Sequence, residues 1–185
     1  MVCMTNNLTS EKWASYGLEV LAKQGYGALK ADVLAKSLNV TRGSFYWHFK
    51  DVADFHDAVI ELWRKRTTAD IISQIEAVED GAERLPTLLR TAASSNTVLD
   101  KAMRAWAVSE PVAKGALYEV ELIRIQYLEK LLSAANVPDT LMRPRAQILH
   151  WAFVGFSNSY RDPPEDLDTI LQEIITFALS DNESL

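Results

Sequence analysis

Little in this 185-residue chain can staple it or anchor it. A single cysteine, Cys3, cannot close an internal disulfide, so no oxidised framework is expected to hold the fold. Seven glycines and six prolines make about 7% of the residues, against roughly 12% in average usage. So few turn formers favour long helices over many short strands. The longest nearly apolar run, 148–156, is interrupted by His150 and falls far short of the ~20 residues that a spanning helix needs. Residues 1–9 have neither a basic start nor an apolar stretch, so the sequence predicts no secretory signal, no membrane partner and a reducing cytoplasmic setting. His48, His56 and His150 share no helix face at ligand spacing, so neither a metal nor another cofactor is expected. Gly25-Tyr26-Gly27 lacks the third glycine of a dinucleotide loop, and Gly43-Ser44 lacks the flanks of a nucleophile elbow. Enzyme chemistry is not expected.

What is present reads as an ordinary globular chain, 48% apolar and 24% charged, long enough to bury a sizeable core. The net charge of −6 is unevenly spread. Residues 1–66 carry nine Lys/Arg against seven Asp/Glu, while 67–185 carry ten against eighteen. A mildly basic head on an acidic body implies two parts with different partners.

Apolar spacing and capping residues predict an all-α fold of about nine helices. Thr9 starts the first, with Glu11 in its first turn and Trp13, Gly17, Val20 and Leu21 facing inward, and Gly25 ends it. A second spans 30–38 with Val33, Leu34 and Leu38 inward, and Thr41 caps a third that runs to 47 or 48. Two helices joined by a turn as short as Asn39-Val40 cross steeply, as in a helix-turn-helix. A long helix is predicted over 51–78, then helices over 88–94 and 98–108, with Pro86 either in a first turn or at a kink. Ser109 caps the next, whose stripe is Leu117, Val120, Ile123, Tyr127 and Leu131. The penultimate helix, 140–160, is apolar on two faces and either bends or begins late at Pro144. Asp162-Pro163-Pro164 stops it, and a last helix covers 165–179. The expected division is a head over 1–50 and a helical body over 51–185.

The string Thr41-Arg42-Gly43-Ser44-Phe45-Tyr46-Trp47-His48-Phe49-Lys50 carries the chemistry. Phe45 and Phe49, four apart, anchor one side of a short helix, which leaves Thr41, Arg42, Ser44, Tyr46, Trp47 and His48 on the others. Hydroxyls, a guanidinium, an imidazole and aromatic edges are groups that bond phosphate oxygens and base edges. Gly43 costs helix propensity, roughly 1 kcal/mol relative to alanine, and lets the backbone approach another surface closely. Lys50 stands where it could meet a phosphate beside the amides that open the next helix.

From Thr9-Ser10-Glu11-Lys12 through Gly25-Tyr26 and Val33-Leu34-Ala35 to the block from Val40 to Asp51, about a quarter of the chain resembles the TetR family of transcriptional regulators. Arg104-Ala105-Trp106-Ala107 and Glu110-Pro111-Val112-Ala113 resemble one branch of that family. The resemblance implies a homodimeric, ligand-responsive repressor of double-stranded DNA with a larger, more variable C-terminal domain for ligand binding and dimerisation. One position departs from the pattern: where the family usually caps its second helix with Thr or Ser, this chain has Lys30. The lost cap costs about 1 kcal/mol, and the lysine offers a phosphate a full charge instead.

On this reading Arg42 suits a guanine edge, Ser44 and the Gly43 backbone contact bases or nearby phosphates, and Trp47 packs on a thymine methyl or the sugar backbone. Thr41, Tyr46, His48, Lys50 and Lys30 bond phosphates. The dimer surface is assigned to the last two helices, through Ile148, Ala152, Gly155, Phe156, Ser159, Leu167, Ile170, Leu171, Ile174 and Ile175, although the small residues could equally accommodate another helix of the same chain. Met103, Trp106, Tyr127, His150, Trp151 and Phe153 are candidates for the pocket of an unidentified small-molecule effector, or else plain core. The rival reading is a helical interaction or ligand-sequestering protein on the same scaffold that binds no specific operator.

Overall fold

The computed structural model describes residues 8–95, 97–159 and 164–180. Cys3, Tyr160 at the predicted helix end and Asp162-Pro163 of the predicted stop lie outside them. The described residues form ten α-helices with no strand.

In the head, α1 (Ser10–Gln24) opens on Thr9, whose hydroxyl accepts from the Lys12 N–H at 3.2 Å. It closes on Gly25 at φ 76°, a backbone setting that favours glycine, and a 3₁₀ turn (Tyr26–Ala28) follows. Helices α2 (Ala31–Ser37) and α3 (Arg42–Tyr46) are joined by a turn in which Asn39 takes φ 53°, a left-handed setting that asparagine tolerates better than most residues. Asp51 caps α4 (Val52–Arg64) by accepting from the Asp54 N–H at 2.8 Å. Trp13, Phe45, Phe49 and Phe55 meet edge-on or tilted between these helices, and all four are buried. Gly17 sits where α1 meets α4: a Cβ there would lie 2.6 Å from Phe55 and from Val59.

The body continues with α5 (Asp70–Glu76), α6 (Arg84–Ser94), α7 (Val98–Ala107), α8 (Pro111–Ala134), α9 (Asp139–Asn158) and α10 (Leu167–Leu179). The apolar core of the head does not stop at residue 50. It takes in Phe55, Val59 and Trp63 of α4, Met103 and Trp106 of α7, and Ala113, Ala116 and Val120 of α8. A second cluster joins Ile75, Leu85, Leu128, Leu132, Leu149 and Ala178 from α5, α6, α8, α9 and α10.

Several local expectations are corrected. The single helix over 51–78 is interrupted by one π-turn, Lys65–Ala69, which separates α4 from α5 and brings the count to ten. There the Thr67 hydroxyl bonds back to the Trp63 carbonyl at 2.9 Å, a side-chain competitor for the helical ladder. The helix after it begins at Arg84 and not at 88, because Pro86 falls in the first turn, where an N–H has no partner to lose. Pro144 lies inside α9, so the helix neither begins late nor stops there. Ser109 does not cap α8: Glu110 holds that position and the serine hydroxyl bonds back to the Trp106 carbonyl. Thr41 stands at the N-cap of α3 without making a capping bond. Val33 and Ile123 were read as inward-facing, yet each is about 40–45% exposed.

Candidate functional site

Helix α3 is built to keep its polar residues outside. Phe45 and Phe49 are buried as an i, i+4 pair, and the remaining side chains have no core to enter. Thr41, Arg42, Gly43, Tyr46, Trp47, Lys50 and, at the start of α2, Lys30 are exposed, while Ser44 and His48 are half-buried. Trp47 is 85% exposed, far outside the habit of so large an apolar ring.

Three acidic residues that the sequence reading passed over shape this surface. Arg42 lies with Nε 3.1 Å from Asp32 of α2, while its Nη2 donates to the Tyr46 hydroxyl at 3.1 Å. That hydroxyl, with the Asp32 carboxylate behind it, holds the Arg42 pKa above its usual value. Two amides at the start of α4 are already taken. Asp51 caps the helix, and the Asp54 carboxylate accepts from the Lys50 backbone N–H at 2.9 Å. A phosphate at Lys50 would therefore meet the lysine side chain beside two carboxylates. The Asp-x-x-Asp spacing was a legible capping signal.

Inside the body is a cavity of about 270 Å³, walled by the π-turn, α5, α6, α7, α8 and α9. Ile71, Ile72, Leu88, Leu89, Leu99, Leu128, Leu149 and Phe153 make most of its surface. Along one wall the buried Asp100 carboxylate accepts from Trp63 Nε1 at 3.1 Å and pairs with Arg124 at 2.8 Å. Arg124 uses its other donors on the π-turn, bonding the Thr68 hydroxyl at 3.1 Å and the Thr67 carbonyl at 3.0 Å. This knot ties α4, α7, α8 and the π-turn together around one buried ion pair.

Of the predicted pocket residues, Tyr127, His150 and Phe153 line the cavity. Met103 and Trp106 do not: they are buried in the head-side core, where Trp106 stacks on Tyr26 with centroids 5.5 Å apart. Trp151 points away from it and is 63% exposed. Burial pushes the Tyr127 hydroxyl pKa up, and the nearby Glu76 carboxylate adds to the rise. Burial likewise holds His150 below the ordinary imidazole value. Asp100, Arg124, Thr67 and Thr68 were missed, since residues 24 to 57 positions apart leave no local signal of their pairing.

Along α9, Ile148, Ala152, Gly155 and Ser159 are exposed beside Trp151, and Phe156 is half-buried. On α10, Ile170 is exposed and Leu167, Leu171 and Ile174 are half-buried, whereas Ile175 is buried within its own chain. Among the described residues, nothing outside its own helix lies within 4 Å of a Cβ built on Gly155, so that glycine is not accommodating another described helix.

A helix-turn-helix head with an outward third helix is an arrangement that can place that helix in the major groove of DNA. Residues 16–59 match the family of bacterial regulatory proteins known as the tetR family. Among curated proteins, the chain is 43% identical over 47 residues to transcriptional regulator AcuR of Cereibacter sphaeroides, covering 25% of this chain and 22% of that protein. It is 40% identical over 45 residues to HTH-type transcriptional regulator AcrR of Shigella flexneri, covering 24% and 21%. The match thus spans about a fifth of each curated relative. Among solved structures, the fold is similar to the fatty acid degradation regulator FadR from Bacillus halodurans, with TM-score 0.64, 16% identity and coverage of 95% and 97%. It is also similar to a TetR/AcrR-family regulator from Thermobifida fusca, with TM-score 0.61, 16% identity and coverage of 95% and 97%. Over these residues the head is similar to the TetR family of transcriptional regulators. Its relatives there are regulators and not enzymes. Among the described residues no helix is long and apolar enough to cross a membrane, and no cluster of His, Cys, Asp and Glu could hold a metal ion.

Proposed function

We infer that the protein is a homodimeric repressor that binds a near-palindromic operator through α3 and is released by a small molecule in the body cavity. The observation that carries the reading is the exposure of Arg42, Tyr46 and Trp47 around the buried Phe45–Phe49 pair. The Arg42 fork matches guanine O6 and N7. In the free protein Asp32 and Tyr46 hold it in place, and Asp32 sets a cost on every site that offers no better partner than a carboxylate. Thr41, Ser44, His48, Lys50 and Lys30 supply phosphate contacts that set register. One head covers too few base pairs for useful specificity, and a two-fold dimer doubles the footprint. The exposed apolar residues of α9 and α10 support that dimer, with Ile148, Trp151, Ile170 and Phe177 each more than a third exposed.

Release follows from a ligand that prefers a conformation whose two heads no longer match the half-site spacing. The knot at Arg124 supports this coupling, because it fastens the cavity wall to α4, whose first turns lie in the core of the head.

Selection of bound duplexes from a random library tests the whole reading, with a palindrome expected. With ~6–8 phosphate contacts per dimer, affinity falls on the order of 10³-fold between 50 and 200 mM salt. Replacing Arg42 and Lys50 with alanine abolishes duplex binding while the fold is kept. Binding that survives both changes, or that ignores salt, favours the ligand-sequestering alternative.

A further inference from the structure

Two carboxylates of the head, Asp51 and Asp54, are spent on backbone amides. Asp32 is not. It stands in the first turn of α2, where Lys30 holds the cap position and no side chain caps the helix. Its contact is with the Arg42 guanidinium of α3, Oδ1 lying 3.1 Å from Nε. The two side chains are 70% and 62% exposed, and an ion pair in that setting adds little to stability. On a face turned toward phosphates, a carboxylate also works against every duplex alike. Asp32 therefore weakens general binding without a structural return, which is reasonable only if it makes a contact of its own.

The pair sets two donors beside an acceptor. The Tyr46 hydroxyl takes one Nη2 hydrogen at 3.1 Å, and its ring lies 5.3 Å from the guanidinium carbon, so the fork is held over α3. Nη1, the other Nη2 hydrogen and Asp32 Oδ2 stay unspent among the described residues. In the major groove a G·C pair shows the acceptors N7 and O6 and then, beside O6, the cytosine N4 donor. An A·T pair places its donor between two acceptors instead. A donor–donor–acceptor set complements the first order and not the second.

We propose that Asp32 is a specificity-determining residue that reads one G·C pair together with Arg42: Nη1 and Nη2 bond guanine, and the Asp32 carboxylate accepts the major-groove hydrogen of the cytosine amine. The Nε–Asp32 pair stays closed in the complex, because guanine engages the other end of the fork. The proposal rests on the reading of α3 as the helix that enters the major groove.

The test uses the full chain and the duplex it selects from a random library. At the G·C pair whose preference Arg42→Ala abolishes, the duplex is remade with single-atom changes and titrated by fluorescence anisotropy. 7-Deazaguanine removes the N7 acceptor. N4-Methylcytosine keeps the base-pairing hydrogen and puts a methyl in place of the major-groove one. The wild-type chain is expected to lose about tenfold in affinity on each. Asp32→Ala is expected to keep the loss on 7-deazaguanine and to bind the methylated and ordinary duplexes within about twofold of each other. It also binds an unrelated duplex more tightly than the wild type does, since a negative charge has left the surface. A wild-type chain indifferent to N4-methylcytosine overturns the proposal, and that arm needs no variant to fold. An Asp32→Ala chain that loses as much on it as the wild type also overturns the proposal. In either case a retained loss on 7-deazaguanine leaves the α3 reading intact. If no duplex is selected, or if 7-deazaguanine has no effect, that reading falls and the proposal falls with it.

Discussion

Replacing Arg124 with methionine gives a direct measure of what the buried knot contributes. The change keeps the aliphatic stem and leaves the Asp100 carboxylate with Trp63 Nε1 as its remaining partner. The two side chains of the pair are 13% and 7% exposed, so water cannot replace the guanidinium. An exposed pair is worth about 0–1 kcal/mol, whereas removing one partner of a buried pair costs about 3–5 kcal/mol. The second figure applies, and the loss of bonds to the Thr67 carbonyl and the Thr68 hydroxyl adds to it. Against a total stability of about 5–15 kcal/mol this is a large fraction, equivalent to a fall of about 6–20 °C in Tm for a chain of this size. Urea unfolding followed by tryptophan fluorescence gives the value, and Trp63 reports on the knot itself. The companion variant Asp100→Asn/Arg124→Met removes both charges and should recover at least half of the loss, since a buried pair replaced whole is often neutral. A single variant that loses less than about 1 kcal/mol, or a double variant no better than the single, refutes the argument.

Three further outcomes follow from local geometry. Gly17→Ala puts a Cβ 2.6 Å from the Phe55 and Val59 side chains, so those side chains or the two helices must shift; the expected loss is about 1–3 kcal/mol by chemical denaturation. Thr9→Ala removes the α1 cap and costs about 1 kcal/mol by the same assay. His150 has its folded-state pKa lowered below the ordinary 6.5, mainly by burial and further by Arg124 and Arg104, with Glu121 opposing. Below that value the unfolded chain takes up a proton the folded chain refuses, so stability falls as pH drops through about 6.5. His150→Leu should flatten that part of the stability–pH curve, and an unchanged curve would show that the ring is not held neutral.

The outward face of α3 was legible because its logic is local. Ten consecutive residues contain two phenylalanines four apart and little else that could be core, so burying that pair dictates what faces outward. The helix order was legible for the same reason: Thr9 and Gly25 act on the turn next to them. The π-turn was not. Besides the local bond from the Thr67 hydroxyl to Trp63, Arg124 holds the Thr67 carbonyl there from 57 residues away, and no short window of the sequence contains both.

The cavity was misread in part, and the error has a physical source. The search for a pocket followed the largest side chains, which led to Met103 and Trp106. Large rings fill space, and both residues are 0–1% exposed in the tightest part of the core, with Trp106 also stacked on Tyr26. A void opens instead where side chains of middling size converge from several helices and cannot close the gap, as Ile71, Leu88, Leu99 and Leu149 do. Its polar wall is equally non-local, since Asp100 and Arg124 come from different helices. Tyr127, His150 and Phe153 were found because they stand where α8 and α9 face that gap. Aromatic richness therefore did not mark where the cavity lies. Its wall sets a paired charge beside branched aliphatics from several helices, and only the folded chain brings those together.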